Sequence, residues 1–475
     1  MTSTGLEVVD WSPMTSPAAT DRPAAPATGV SQRRLIVGIC VTVVAIAFEA
    51  IAVATAMPIA AQDLNGLPYY AWSFSLFLIG MLVATVVAGR VSDRIGPAKP
   101  LLVGLVVFSA GLVLSGTSLH MVQLIGGRLV QGLGSGVINV AIFVAVAKVF
   151  EPRLRPRVFT YISTAWVVPS FVGPPIAAWL THNLSWHWVF FAVLPLVVVG
   201  AAMITPSLIP MMRGHEPPAT SGKPQSMLAA GLVAIGAAAL QAAGQRLDWI
   251  ALVLVAVGIA LLLVGLPRLM PPGFMRMRRG LSAVILVRGL LPGAFFGGEA
   301  FIPLMLVEER GIALVIAGAA LTVGAVGWTT GSWLQSQTWL RVRRDRLITL
   351  GCASVALGLA VVAATAALPD LWFGVVGLGW IFSGLGMGLA ISSTSVAVMS
   401  LSAEGEQGRN ASSLNLFDAL GSGIFVGLAG TVFAALHPTG NLPLTFGVLL
   451  GGMSAVACLS VLASLRIGEI RSGTS

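Results

Sequence analysis

Gly89-Arg90-Val91-Ser92-Asp93-Arg94-Ile95-Gly96-Pro97-Ala98-Lys99 is a short polar island between two apolar blocks, and the fold turns on which side of a barrier it occupies. The flanking blocks, 69–89 and 101–118, are each of the length a helix needs to cross ~30 Å of hydrocarbon. Blocks of the same kind recur at 35–61, 121–149, 158–180, 188–209, 227–244, 249–266, 281–307, 312–334, 347–368, 371–400, 414–436 and 444–465. The whole chain of 475 residues is 56% hydrophobic and 9% charged, where a soluble domain carries about 25% charge. A water-soluble fold is thereby excluded. Strand-like alternation does not recur, which argues against an outer-membrane barrel.

Charge orients the blocks, because cations close to the ends of short loops stay on the cytoplasmic side. With the N-terminus inside, Arg90, Arg94 and Lys99 fall inside, as do Arg33 and Arg34, the group Lys148 to Arg157, and Arg213 with Lys223. So do Arg268 to Arg279, Arg341 to Arg346, Arg409, Arg466 and Arg471. Only Arg246 and Arg310 fall outside, and only Arg128 and Arg288 lie deep within blocks. One miscounted block in the middle would invert every later loop, so the charges predict fourteen spans with both termini cytoplasmic. The net charge of +9 then belongs to topology and to the head groups of membrane lipids, and implies no nucleic acid. Cys40, Cys352 and Cys458 all sit in spans, so neither a disulfide framework nor a metal site is expected. The scarcity of lysine beside arginine suggests a GC-rich bacterial genome, and hence a bacterial inner membrane. Residues 1–34, rich in Ala, Pro, Ser and Thr, read as a disordered cytoplasmic tail, and 466–475 as a second cytoplasmic tail.

Internal echoes divide the spans. Gln131-Gly132-Leu133-Gly134-Ser135-Gly136 is echoed by Ser383-Gly384-Leu385-Gly386-Met387-Gly388, Phe48-Glu49-Ala50 by Gly298-Glu299-Ala300, and the stretch from Leu101 by that from Leu347. Their offsets agree closely, as a duplication requires. The seventh and eighth spans have no counterparts. The expected organisation is a six-helix half at 35–210, an inserted two-helix hairpin with cytoplasmic loops at 211–280, and a six-helix half at 281–465. The hairpin has no ionisable residue in its spans, which points to packing or lipid contact.

The loop that opened this reading resembles the G-x-x-x-D-R-x-G-R-[KR] signature of the major facilitator superfamily, with Pro97 in the usual basic position and Lys99 keeping a cation nearby. Arg128-Leu129-Val130-Gln131-Gly132 resembles the R-x-x-Q-G pattern of its proton-coupled members, and the fourteen spans resemble its drug:proton antiporter branch. Val172-Gly173-Pro174-Pro175-Ile176-Ala177-Ala178 is similar to that branch's G-P-x-x-G-G element, with alanines for the last two glycines; the proline kink is expected to remain. Trp186-His187-Trp188-Val189-Phe190 resembles its W-R-W-x-F element, with His187 in place of arginine. The resemblance implies an all-α fold with two six-helix halves. It also implies a gating loop of Gly89, Asp93, Arg94, Gly96 and Lys99, in which Asp93 faces the positive N-terminal end of the span near Leu414.

Five charged residues within spans carry the functional reading. A buried arginine costs at least ~2.5 to 3.5 kcal/mol unless paired or wetted, so Arg128 requires a partner, and Glu49 lies at a matching depth in the first span. Burial and a neighbouring cation pull on a carboxyl's proton in opposite senses, so substrate or conformational change can switch it. That is what a proton carrier needs. Glu299 occupies the corresponding place in the second half, where it either faces the same cavity or is solvated from outside with Glu308 and Glu309. Arg288 and Asp418 form either an inner gate pair or a structural one. Gly132, Gly134 and Gly136 read as helix packing and not as a nucleotide loop, because no soluble strand precedes them.

The expected function is proton-coupled export of amphipathic small molecules by alternating access, with Glu49, Arg128, Gln131 and Glu299 at the cavity. The alternatives are a dedicated carrier of one metabolite, lipid or siderophore, and a non-transporting receptor or scaffold. An enzyme is not expected, since His120, His182, His187, His215 and His437 are scattered over loops. No cofactor, no metal and no obligate protein partner is implied; the partners are small-molecule substrate, protons and membrane lipids.

Overall fold

The computed structural model describes residues 31–470, apart from 152–153, 214–226, 244–248, 338, 341 and 403–405. Most of the tail expected at 1–34, the loop before the hairpin, the hairpin's turn near Arg246, the last five residues and the Asp93 side chain lie outside the described residues. The first half comprises α1 (Gln32–Asp63), α2 (Trp72–Ile95), α3 (Ala98–Gly116), α4 (Met121–Val149), α5 (Arg155–Thr164), α6 (Val167–Asn183), α7 (His187–Phe191) and α8 (Val193–Arg213). The hairpin helices are α9 (Met227–Ala243) and α10 (Trp249–Leu269). There follow α11 (Leu281–Glu299), α12 (Ile302–Glu308), α13 (Leu314–Ser336), α14 (Arg344–Ala367), α15 (Gly374–Leu401), α16 (Gln407–Leu436) and α17 (Leu442–Ser464). Among the described residues there is no strand.

Twelve helices among the described residues are long and apolar enough to cross a membrane. Two of the fourteen expected blocks fall short of that standard. Block 227–244 is α9, with 17 residues, and block 158–180 is divided between α5 and α6. The division has a local cause. Pro169 has no N–H to give the carbonyl of Ala165, four residues earlier, and the helix breaks at Ala165 and Trp166. Pro195 stands in the same relation to the break after Phe191, and Pro303 to the break after Glu299. Glu299 is therefore the last residue of its helix, with a backbone carbonyl that its own helix cannot satisfy.

Glycines set how closely the helices approach. On α4, a side chain at Gly132 or Gly136 would strike the α2 backbone at Phe77 or Met81, and one at Gly134 would strike Phe108 of α3. On α15, Gly384 and Gly388 sit in the same way on Gly324 and Trp328 of α13, and Gly386 on Gly351 of α14. Each string thus clamps one helix between two others, as small residues do in membrane packing. The packing of α1 with α6 and α8, and of α3 with α8, recurs as α11 with α16 and α17, and α14 with α17. The two sets of helices meet along α2–α16 and α6–α13.

The hairpin is asymmetric. Helix α10 packs mainly on α9 and exposes large apolar side chains such as Trp249 and Leu252, whereas α9 lies against both α2 and α16. Gln241 of α9 is 5% exposed, its amide nitrogen donating to Ser75 Oγ of α2 and its carboxamide pressed on Gly427 of α16. The hairpin is thus more than a lipid-facing appendage. Gly427→Leu is expected to lower thermal stability in detergent by ~1 to 3 kcal/mol through overpacking, and Gln241→Leu by only ~1 kcal/mol through one lost hydrogen bond. Equal, negligible shifts in thermal unfolding would show that α9 does not seat there.

Candidate functional site

Four helices build one buried polar cluster. Glu49 comes from the middle of α1, and Arg128 and Gln131 come from the same face of α4, three residues apart. Glu49 is 0% and Arg128 2% exposed. Arg128 Nη1 donates to Glu49 Oε1 and to Gln131 Oε1, and its Nε donates to the Ser73 carbonyl of α2 at 2.9 Å. The guanidinium lies 4.4 Å from the centre of the Phe77 ring, where the quadrupole favours a cation. Gln131 Nε2 in turn donates to Gly111 O at 3.1 Å and Ser115 Oγ at 2.9 Å on α3. A side chain at Gly111 would collide with Gln131, so the glycine admits this contact. Glu49 Oε2 is buried and has no hydrogen-bond partner among the described residues. The cluster thus holds a cation satisfied by several acceptors and a carboxyl with one oxygen unclaimed.

Glu299 does not join this cluster. It is half-buried at the end of α11, without a hydrogen bond or ion pair to a described residue. Arg128's counterpart in the repeat, Trp380, is fully buried and stacks on Phe295 at 4.4 Å, so the second half fills that place with aromatic surface.

Next to Glu299, the halves are joined through Tyr70 and Gln62, which nothing in the sequence marks out. Tyr70, fully buried at the end of a short turn before α2, donates its hydroxyl to the Ala300 carbonyl at 2.6 Å. Its ring lies 5.1 Å from Phe301 and 6.5 Å from Phe433. Gln62 donates to Glu308 at 3.2 Å, and His437 lies 3.4 Å from the other Glu308 oxygen. Just beyond α12, burial pushes the Glu309 carboxyl up to about 7 against the opposing pull of Arg310, 3.1 Å away. A tyrosine at the end of an apolar block has no sequence signal separating it from an ordinary interfacial residue.

Arg288 and Asp418 do meet, Nε to Oδ2 at 2.8 Å, and Arg288 also donates to Ile391 O at 2.9 Å and to Thr394 and Ser395 hydroxyls at 3.1 Å. All of these groups belong to α11, α15 and α16. The pair ties helices of one half together and does not itself bridge the two. Gly173 and Pro174 lie in α6 where it meets α13, the Pro174 side chain touching the position of Gly318. His187 is stacked on Trp186 at 3.7 Å and bonded to Ser118 O at 3.2 Å, a packed position. In the loop after α2, Gly96 has φ +81, which an L side chain rarely adopts, and Arg94 and Lys99 are exposed. Among the described residues no group of His, Cys, Asp and Glu could hold a metal ion.

The pattern of the Major Facilitator Superfamily matches residues 37–426. The multidrug transporter protein MdtP of Bacillus subtilis is 24% identical over 428 residues, covering 86% of this chain and 76% of its own. The multidrug efflux pump SdrM of Staphylococcus aureus is 22% identical over 398 residues, covering 82% of this chain and 87% of its own. In fold, the chain is similar to a crystal structure of the peptide transporter POT in complex with sulfate, with a TM-score of 0.71, 14% identity and coverage of 93% of this chain and 98% of that one. The chain belongs to the Major Facilitator Superfamily and is a multi-pass inner-membrane transporter, not an enzyme.

Proposed function

We propose that the chain exports amphipathic small molecules of the multidrug kind in exchange for protons, by alternating access. The observation that carries this reading is the buried Glu49–Arg128 pair with its unclaimed Glu49 oxygen. A fully buried carboxylate whose second oxygen has no donor is costly, and a proton on that oxygen relieves the cost. When Arg128 moves with α4, the balance between the charged and neutral forms changes. Coupling needs no more than this. The names of MdtP and SdrM support the cargo class.

The same reading has fourteen spans arranged as six, two and six, with both termini in the cytoplasm. Helices α5 and α6 act as one broken span, and the 17 residues of α9 cover about 25 Å, a little less than the hydrocarbon thickness. In this orientation the contacts of Tyr70, Gln62 and His437 lie at the outer face and close it. The gating role of Asp93 is supported by the register of α2 against α16. Gly430 abuts Ala71 and Gly423 abuts Leu78, so one step along α2 matches one step back along α16. Continued at that rate, Asp93 comes level with the first turn of α16, where a carboxylate is favoured by the helix dipole.

The test is reconstitution in liposomes with a panel of cationic and neutral dyes and an imposed pH gradient. Several unrelated dyes should move when the gradient is present and stop when an ionophore collapses it. Movement of a single compound, or movement indifferent to the gradient, would refute the multidrug antiport reading.

A further inference from the structure

The connection between the hairpin and the second half is a folded loop with a cavity of about 350 Å³, lined by Pro267, the run from Met270 to Arg276, and Arg278. Gly273, at φ +89, lets the aliphatic stem of Arg278 lie across it, since any side chain there would sit 2.6 Å from Arg278 Cδ. Met277 N donates to Phe274 O at 2.8 Å, and Gly280 N donates to Arg466 O at 3.1 Å, tying the loop to the end of α17. Phe274 is buried edge-on against Phe417 of α16, with ring centres 5.0 Å apart. This is a fixed cup and not a slack connection.

Sharing Phe274 and Met275 with the cup is a second hollow of about 180 Å³, lined by Leu266, Met277, Leu286, Phe417, Ala463 and Arg466. Its wall is apolar apart from Arg466 and Ser282. The segment from Pro267 to Gly280 holds four arginines and no acidic residue. Among the described residues, Arg276, Arg278, Arg279 and Arg466 take part in no ion pair, whereas Arg343 nearby in sequence order to α14 is neutralised by Asp345 and Glu469. Met275 and Met277 are exposed beside them. A cationic cup opening onto an apolar slot at the end of membrane helices matches a molecule with an anionic head and a hydrocarbon tail.

We infer that this cup is a binding site for the phosphate head group of an anionic phospholipid of the cytoplasmic leaflet, with one acyl chain in the adjoining slot. The leaflet assignment rests on the cytoplasmic placement of this loop proposed above. Bound there, the lipid joins α10 to α11, α16 and α17, and so fastens the hairpin to the second half. Arginines near a membrane surface contribute enough electrostatic energy that losing two weakens an anionic lipid roughly 30-fold.

The experiment is native mass spectrometry and thermal unfolding of the purified full chain, titrated with phosphatidylglycerol, with phosphatidylcholine, or with inorganic phosphate. Phosphatidylglycerol is expected to bind and stabilise the wild type, and the Arg276→Gln plus Arg278→Gln variant should need roughly 30-fold more of it. Arg33→Gln plus Arg34→Gln removes the same charge elsewhere and should stay within about twofold. Equal effects of phosphatidylcholine, or equal losses in both double variants, would overturn the site. Full protection by inorganic phosphate, or its displacement of the lipid, would overturn the lipid and leave a free-anion site. None of these readouts depends on transport or sidedness. Labelling of Met275→Cys in inside-out against right-side-out vesicles reports the topology separately, so failure of the topology and failure of the site give different results.

Discussion

Arg128→Met will cost the protein both folding stability and proton-driven export, and a second change at Glu49 will restore the first without the second. Arg128 is held by Glu49, Gln131 and the Ser73 carbonyl in a site with almost no exposure. Removing it leaves a buried carboxylate with neither oxygen matched to a cation, and breaking a buried pair from one side costs ~3 to 5 kcal/mol. In the Glu49→Gln, Arg128→Met double variant no net charge remains, and replacement of a buried pair by neutral groups is often close to neutral in stability. Thermal unfolding should therefore fall sharply in the single variant and recover most of the way in the double. Transport should not recover, because no carboxyl is left midway along a membrane span of the first half to carry a proton. Glu49→Gln alone should lose gradient-driven export by at least about tenfold while retaining substrate-for-substrate exchange, which needs no net proton movement. If the double variant exported against its gradient as well as wild type, the pair would be a structural tie and the coupling would lie elsewhere.

The Glu49–Arg128 contact could be anticipated because a charge in apolar sequence is conspicuous and two of them at matching depth have few other ways to be satisfied. Gln131, one turn from Arg128, is legible in the same way, but the backbone part of the cluster is hidden for a physical reason. Ser73 and Gly111 contribute backbone carbonyls, and which carbonyl is free depends on how helices pack, not on residue type. The glycine strings on α4 and α15 were legible, since glycines alternating along apolar helices have little other use than close approach. Helix breaks inside apolar blocks were not, because hydropathy is blind to them. The prolines at 169, 195 and 303 held that information, yet Pro58 and Pro292 lie within unbroken helices, so proline alone does not settle it. The hairpin's contact with both halves has no ionisable residue to mark it; among the described residues its one buried polar side chain is the amide of Gln241. Arg288 and Asp418 lie at matching depth in the same stretch, 281–465, so a pairing within one half is legible, but the further bonds of Arg288 to Ile391, Thr394 and Ser395 depend on how α11 packs against α15.

Glu299→Gln will separate substrates from one another where Glu49→Gln does not. Glu299 lies outside the Arg128 cluster, has no cationic partner among the described residues, and ends a helix that Pro303 interrupts. A half-buried carboxylate with no internal partner is free to meet a cation that arrives with the substrate. One residue further on, the Ala300 carbonyl receives the Tyr70 hydroxyl, so a ligand held at Glu299 lies beside the contact that joins the halves. A hydrogen bond to a charged group is worth about 1.5 to 3 kcal/mol, which corresponds to roughly 10- to 100-fold in apparent affinity. Export of cationic dyes by Glu299→Gln should fall by that factor, expressed chiefly as a raised KM, with neutral amphipathic dyes within about twofold of wild type. Tyr70 and the seal are untouched by the change, so a general loss from opening the outer face is not expected. Were cationic and neutral substrates to lose gradient-driven export equally, Glu299 would be a second proton carrier in series with Glu49. Were neither affected, Glu299 would take no part in recognition or coupling, and cations would have to be recognised elsewhere.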